Sequence, residues 1–65
     1  MSPTEIKAKI ILMGKSQTEL AQKAGVHRSA ITLVIQRKGV SRRLQELIAR
    51  EIGHGFEEVW GEAAA

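Results

Sequence analysis

The sequence contains no cysteine, so neither a disulfide framework nor a thiolate-bound zinc ion can stabilise the fold. Aspartate is absent too, and Phe56 and Trp60 are the only aromatic residues. The longest uninterrupted apolar run, residues 10–13, is far shorter than the ~20 residues of a membrane-spanning helix and too short for a signal peptide. A chain of 65 residues has room for one small hydrophobic core, and we predict a single domain over residues 1–65.

Positive charge is concentrated in the middle of the sequence. The formal net charge is +3, but residues 15–43 hold seven lysines and arginines against one glutamate, a net charge of +6. Residues 44–65 hold one arginine against five glutamates, a net charge of −4. A concentrated basic segment favours a polyanionic partner, most often nucleic acid, although a solvated basic surface without a partner would have the same composition.

Helix-capping residues recur along the chain. Ser2 with Glu5, and again Ser16 with Glu19, form capping boxes, and Pro3 occupies the first position of the first predicted helix.

Three further helices are predicted downstream. His27 is a weaker N-cap for a helix over residues 28–36, and Ser41 caps the fourth helix. A final short helix is expected over residues 55–61. Four glycines are expected to end the first four helices: Gly14, Gly25, Gly39 and Gly53.

Apolar residues follow the helical period in each of these segments. The members are Ile6, Ile10 and Met13; Leu20, Ala21 and Ala24; Ile31, Val34 and Ile35; Leu44, Leu47, Ile48 and Ile52; and Phe56, Val59 and Trp60. No segment shows sustained alternation with the two-residue period of a strand. We therefore predict an all-α fold, a compact bundle of about five short helices.

The second and third helices form a predicted helix-turn-helix. Gly25 supplies the positive φ that the turn needs, and Ala21 is small where the third helix crosses. Val26 is expected to fill the angle between the two helices, and Ile31 and Val34 to pack the third helix on the second.

The opposite face of the third helix carries side chains that suit DNA bases. On a helical wheel these are Arg28, Ser29, Thr32 and Gln36, with Leu33 at the edge. Arginine can bond guanine with two hydrogen bonds, glutamine can bond adenine, and serine and threonine suit either. Leu33 could contact a thymine methyl group. Most surface helices have a polar face, but this one lacks the usual mixture of glutamate and lysine.

Residues 17–36 resemble the helix-turn-helix of the lambda-repressor-like superfamily. The matching positions are Gln17, Ala21, Gly25, Val26, Ile31 and Val34. Residues 40–60, which end in Glu-Glu-Val-Trp, are similar to the Ner-type regulators of Mu-like phages, and the resemblance spans roughly residues 5–60. His27 departs from the serine that is common at its position.

The resemblance implies a sequence-specific regulator that binds double-stranded DNA, in the manner of a phage or prophage repressor. The third helix would enter the major groove. Because one small domain buries only a modest interface on DNA, we also expect a second copy to bind an adjacent half-site about one turn away. The residues expected at phosphates are Lys15, Ser16, Gln17, Thr18, His27, Arg37 and Lys38. The expected location is the cytoplasm, or the nucleoid, of a bacterial host.

Other functions remain open at this stage. The main alternative is a small helical protein-interaction module, and a third is binding of the basic first helix to a membrane surface. Residues 14–16 resemble the end of a P-loop, but Lys9 stands where that motif requires glycine. His27 and His54 belong to no ligand cluster, and no acid–base pair is visible. We expect no enzyme activity, metal, cofactor, small-molecule substrate or membrane partner.

Overall fold

The computed structural model describes the backbone of residues 1–64 and the side chains of residues 1–61. Over this range the chain forms helices and no strand, so the predicted all-α class is confirmed. The helices are α1 (Pro3–Leu12), α2 (Gln17–Ala24), α3 (Arg28–Ile35), α4 (Arg42–Glu51) and α5 (Phe56–Ala64). Within this range no helix combines the length and the apolar character that crossing a membrane requires.

The predicted cap residues start the first four helices. Ser2 and Glu5 make both bonds of a capping box, each 3.1 Å long. Ser16 Oγ accepts the Glu19 N–H, and Ser41 Oγ accepts an N–H from the first turn of α4. These bonds satisfy N–H groups that the helix itself leaves without acceptors.

The end of α1 corrects one prediction. Met13 is expected on the buried face with Ile6 and Ile10, but it is 49% exposed while the two isoleucines are buried. Met13 is the C-cap residue, and its N–H still bonds to the Lys9 carbonyl. Ile11 and Leu12 are exposed as well, so the core does not cover this end of α1.

The third helix ends one residue earlier than expected, since Gln36 is its C-cap residue. The fifth helix begins one residue later than expected, at Phe56, and runs to Ala64, three residues beyond its predicted end.

One cluster of buried apolar side chains draws on all five helices. Its members are Ile6, Ile10, Leu20, Ala21, Ala24, Ile31, Val34, Ile35, Leu44, Ile48, Ala49, Ile52, Val59 and Trp60. The Trp60 indole donates a 2.8 Å hydrogen bond to the Gln45 carbonyl, so its polar edge is satisfied at the margin of the core. The predicted core stripes of α2 to α5 are therefore confirmed, with Leu47 and Phe56 packed at the border.

Two arginines in the first turn of α4 have structural partners. Cations there oppose the helix dipole, which calls for a compensating interaction. Arg42 pairs with Glu46 at 3.0 Å, and its guanidinium lies 4.0 Å from the centre of the Phe56 ring. Arg43 donates a 2.9 Å bond to the Ala24 carbonyl at the C-terminus of α2. These contacts join α4 to α5 and to α2.

Candidate nucleic-acid interface

The turn between α2 and α3 fixes how α3 is presented. Gly25 adopts φ 70° and ψ 31°, the left-handed conformation that ends α2. The next residue, Val26, donates its N–H to the Ala21 carbonyl at 3.0 Å, and its side chain packs against the core. Ile31 and Val34, on the inner face of α3, are buried in the core. The buried face of α3 is thus held against the core, and its other face is left to solvent.

The predicted base-contacting residues lie together on that outer face. Arg28, Ser29 and Gln36 are exposed, Thr32 is half-buried, and Leu33 is 45% exposed. A shallow, largely apolar concavity runs along this part of the helix, lined by His27, Arg28, Ser29, Thr32 and Leu33. The face therefore offers hydrogen-bonding groups around an apolar surface, a combination that matches the edges and methyl groups of bases.

Thr32 is tied to the start of α2. Its hydroxyl donates a 2.7 Å hydrogen bond to Gln17 Oε1, and the Arg28 carbonyl lies 3.3 Å from the same hydroxyl. Gln17 therefore supports a side chain of α3, and the supported residue lies one turn inside that helix.

His27 caps α3 with its ring. Nδ1 accepts the Ser29 N–H at 3.1 Å, which leaves the hydrogen on Nε2, and it lies 2.9 Å from Ser29 Oγ. The predicted cap is confirmed, so an imidazole can replace the usual hydroxyl here. The side chains of His27 and Ser29 are thus held next to each other on the exposed surface at the start of α3.

A second groove joins α1, the start of α2 and the start of α3. Its lining residues are Lys7, Ile10, Ile11, Lys15, Ser16, Gln17, Thr18 and Arg28. The N–H groups of Gln17 and Thr18 belong to the first turn of α2, which offers them no acceptor within the helix. Four expected phosphate contacts thus share a groove with Arg28. Lys7 is not among the contacts predicted from the sequence, because only the packing of α1 brings it to this groove.

Lys15 has an internal partner. Its ammonium lies 3.1 Å from Glu51 Oε1 and donates a 3.0 Å bond to the Glu51 carbonyl, and its side chain is 28% exposed. Lys23 lies 2.7 Å from the same carboxylate oxygen. The hydrogen bond from Lys23 is the main cause of a lowered pKa at Glu51, and Lys15 adds to the effect while partial burial opposes it. Contact with a phosphate would compete with this ion pair.

Arg37, another expected phosphate contact, is engaged inside the protein. Its guanidinium donates to the carbonyl of Met1 and, at 3.3 Å, to that of Val59, and it lies 5.8 Å from the Trp60 ring centre. Its backbone adopts φ 59°, unusual for a residue with a side chain. Arg37 thus joins the end of α3 to α5. Its neighbour Lys38 is exposed in the same loop and remains available to a ligand.

Comparison with known proteins adds no assignment. A scan of protein-family models, a search of curated proteins and a search of solved structures each find no match. The resemblance to lambda-repressor-like regulators therefore stays a prediction from the sequence.

Proposed function

We propose that this protein is a transcriptional regulator that binds double-stranded DNA sequence-specifically and places α3 in the major groove. One observation carries the proposal: five side chains able to contact bases lie on the outer face of a helix whose other face is anchored in the core. These side chains are Arg28, Ser29, Thr32, Leu33 and Gln36. The host cytoplasm or nucleoid is the proposed location, and repression by occupying a promoter is the proposed mode of action.

The groove between α1, α2 and α3 supplies phosphate contacts in this proposal. The N-terminus of α2 offers the N–H groups of Gln17 and Thr18, and a helix N-terminus favours an anion through both its free donors and its dipole. The exposed Lys38 at the far end of α3 would hold the backbone on the other side. Phosphate contacts at both ends would fix the orientation of α3, and base contacts would select the sequence.

A single copy offers a limited DNA interface. One small module buries about 600–1,000 Å² on DNA, which is low for tight operator binding. We therefore propose that two copies bind half-sites about one helical turn apart. Measurement of the mass of the saturated complex checks this step, and one copy per site at saturation contradicts it.

A protein-interaction module is the second candidate, and exposed apolar side chains favour it. Ile11 is 72% exposed and Leu12 is 78% exposed at the end of α1. Such residues are suited to a protein contact, with a second copy or with another chain.

The salt dependence of binding distinguishes the two candidates. DNA binding through several phosphates should weaken steeply as salt rises, with a slope of log K against log salt near −0.9 for each phosphate neutralised. Fluorescence anisotropy of a labelled duplex, measured from about 50 to about 300 mM salt, gives that slope. A slope near zero, or no binding at low salt, contradicts the DNA proposal and favours the protein-interaction module.

A further inference from the structure

The hydroxyl hydrogen of Thr32 is used inside the protein. Among residues 1–61, whose side chains the structure describes, two atoms lie within hydrogen-bond distance of Thr32 Oγ1, namely Gln17 Oε1 at 2.7 Å and the Arg28 carbonyl at 3.3 Å, and both are acceptors. A hydroxyl has one hydrogen to donate and two lone pairs that accept. The hydrogen is therefore directed at one of these oxygens, and the lone pairs are left for an outside group.

The surroundings of Thr32 hold this arrangement in place. Gln17 is half-buried at the first position of α2, with its side chain set between α2 and α3. The threonine lines the shallow concavity beside Leu33, so its hydroxyl oxygen lies on the face of α3 that a ligand would contact. An unconstrained threonine can either donate to a base or accept from one, but here the geometry leaves only the second option.

We infer that Thr32 is a specificity-determining residue that accepts a hydrogen bond from an exocyclic amine in the major groove, with Gln17 as the residue that positions its hydroxyl. This inference rests on the proposed function, and it specifies what one position of the face selects. Only adenine, through N6, and cytosine, through N4, present a donor in that groove. Thymine O4 and guanine O6 are acceptors, and they would face the lone pairs of Thr32 without a hydrogen between them.

The test starts from duplexes that the wild-type protein selects from a random library. The same selection with Thr32→Val, which is nearly isosteric but lacks the hydroxyl, identifies the contacted position as the one where the base preference relaxes. At that position the wild-type protein should select adenine or cytosine. Thr32→Ser keeps a hydroxyl beside Gln17 and should keep the preference, which makes it the matched control for a change at this site.

Removal of the amine from the DNA isolates the hydrogen bond. Purine in place of adenine, or 2-pyrimidinone in place of cytosine, deletes the donor and leaves the ring. Wild-type affinity should fall about three- to tenfold, the range that a single hydrogen bond supplies. For Thr32→Val the same DNA change should alter affinity by less than about twofold, since no acceptor is left to lose its partner. Circular dichroism of both proteins verifies that the variant is folded.

Two variants of Gln17 test its positioning role. Gln17→Glu keeps an oxygen acceptor and should keep the discrimination against thymine and guanine, although the added charge lowers affinity for every duplex. Gln17→Leu removes the closer acceptor and leaves the hydroxyl only the more distant Arg28 carbonyl, so the hydroxyl can turn to donate to a base and the discrimination should fall about threefold or more. Unchanged discrimination in Gln17→Leu contradicts the role assigned to Gln17.

The possible failures can be told apart. If the wild-type protein enriches no motif, the proposed function is overturned and this inference with it. If it enriches a motif but selects thymine or guanine opposite Thr32, or if loss of the amine affects wild type and Thr32→Val equally, the inference alone is overturned.

Discussion

Arg28 and Lys38 are both exposed cations, yet their surroundings differ. Arg28 lines both concavities, at the point where the first turn of α3 meets the start of α2. Lys38 lies in the loop that follows α3, past the helix that would enter the groove. A fork of donors held against the base edges can discriminate among bases, whereas a flexible ammonium at the margin attracts any phosphate.

Truncation of these two residues should have different consequences. Arg28→Ala should cost about 1–3 kcal/mol on the preferred duplex and relax the preference at one base pair. Lys38→Ala should weaken binding to all duplexes alike and reduce the salt slope by about one. Parallel selections and salt titrations measure both effects. An unchanged sequence preference in Arg28→Ala would show that α3 does not dock as proposed.

Arg37 combines internal contacts with a left-handed backbone, and its variants separate the two. Arg37→Ala and Arg37→Gly both lose the hydrogen bonds to Met1 and Val59 and the contact with Trp60. Alanine also retains the strain of φ 59°, which glycine relieves. Both variants should be less stable than wild type, and Arg37→Gly should be about 1 kcal/mol more stable than Arg37→Ala in urea unfolding.

The DNA-binding role expected of Arg37 can be measured in the same proteins. Because its guanidinium is engaged with α5, we expect the salt slope of DNA binding to stay unchanged in Arg37→Gly at a temperature where the variant is folded. A slope reduced by about one would instead support the phosphate contact that the sequence indicates.

At the scale of the elements, local signals predicted the helices well. Ser2, Ser16, His27 and Ser41 each start the helix expected of them, because a cap bonds to N–H groups only two or three residues away. The burial of one face of α3 and the exposure of the other followed from the helical period. Met13 was misplaced because the helical period does not show where along a helix the cover of the core ends, and the last residues of α1 are exposed.

The contacts between elements could not be predicted in the same way. Nothing local indicates that Arg43 will bond the Ala24 carbonyl, that Glu51 will hold Lys15, or that Lys7 will line a groove with α2. Each depends on where the packing of the core sets two helices. The residues expected to contact phosphates therefore fall into two groups. Lys38 is exposed, whereas Lys15 and Arg37 already have partners inside the protein.

The turn between α2 and α3 offers a prediction at this scale. Gly25 adopts φ 70°, and no neighbouring atom lies within 4 Å of the position that a Cβ would occupy. Gly25→Ala should therefore lose only the conformational preference, about 1–2 kcal/mol, and Gly25→Asn should lose less, since asparagine tolerates this region. Urea unfolding measures both, and the folded variants should select the same DNA sequence. A loss of several kcal/mol in Gly25→Ala would mean that the turn has no room for a side chain.

At the scale of the whole molecule, a few polar contacts link helices that are distant in sequence. Glu51, at the end of α4, contacts Lys15 before α2 and Lys23 near its end. Its side chain is 13% exposed, so this pair of ion contacts is better shielded from solvent than the Arg42–Glu46 pair, where both side chains are more than half exposed. We therefore expect the Glu51 contacts to contribute more to stability than the Arg42–Glu46 pair.

The acid sensitivity of the fold should depend on Glu51. Its pKa is lowered from the usual value of 4.5, so its contribution to stability is fully present above that pH and is lost as pH falls through the lower folded value. Glu51→Gln should be less stable than wild type at pH 7 and should lose less stability on acidification. Urea unfolding of both proteins at pH 7 and at about pH 3 checks this.

Two other carboxyl groups with lowered pKa values are still present in Glu51→Gln. The pKa of Glu5 is lowered mainly by a hydrogen bond from the Ser2 backbone N–H. The pKa of Glu58 is lowered mainly by a hydrogen bond from the His54 side chain. Glu51→Gln should therefore flatten part of the pH dependence and leave the rest. A variant with the same acid profile as wild type would contradict a stabilising role for the Glu51 contacts.

The most direct test of the central claim is selection from a random duplex library at near-physiological salt, with wild-type protein and Arg28→Ala in parallel. The account predicts an enriched motif of two mirrored half-sites about one helical turn apart, and the loss of one base preference per half-site in Arg28→Ala. A single short motif would retain base recognition by α3 and contradict pairing. If the wild-type protein enriches no sequence, α3 is not a recognition helix and a protein partner becomes the better explanation of its exposed face.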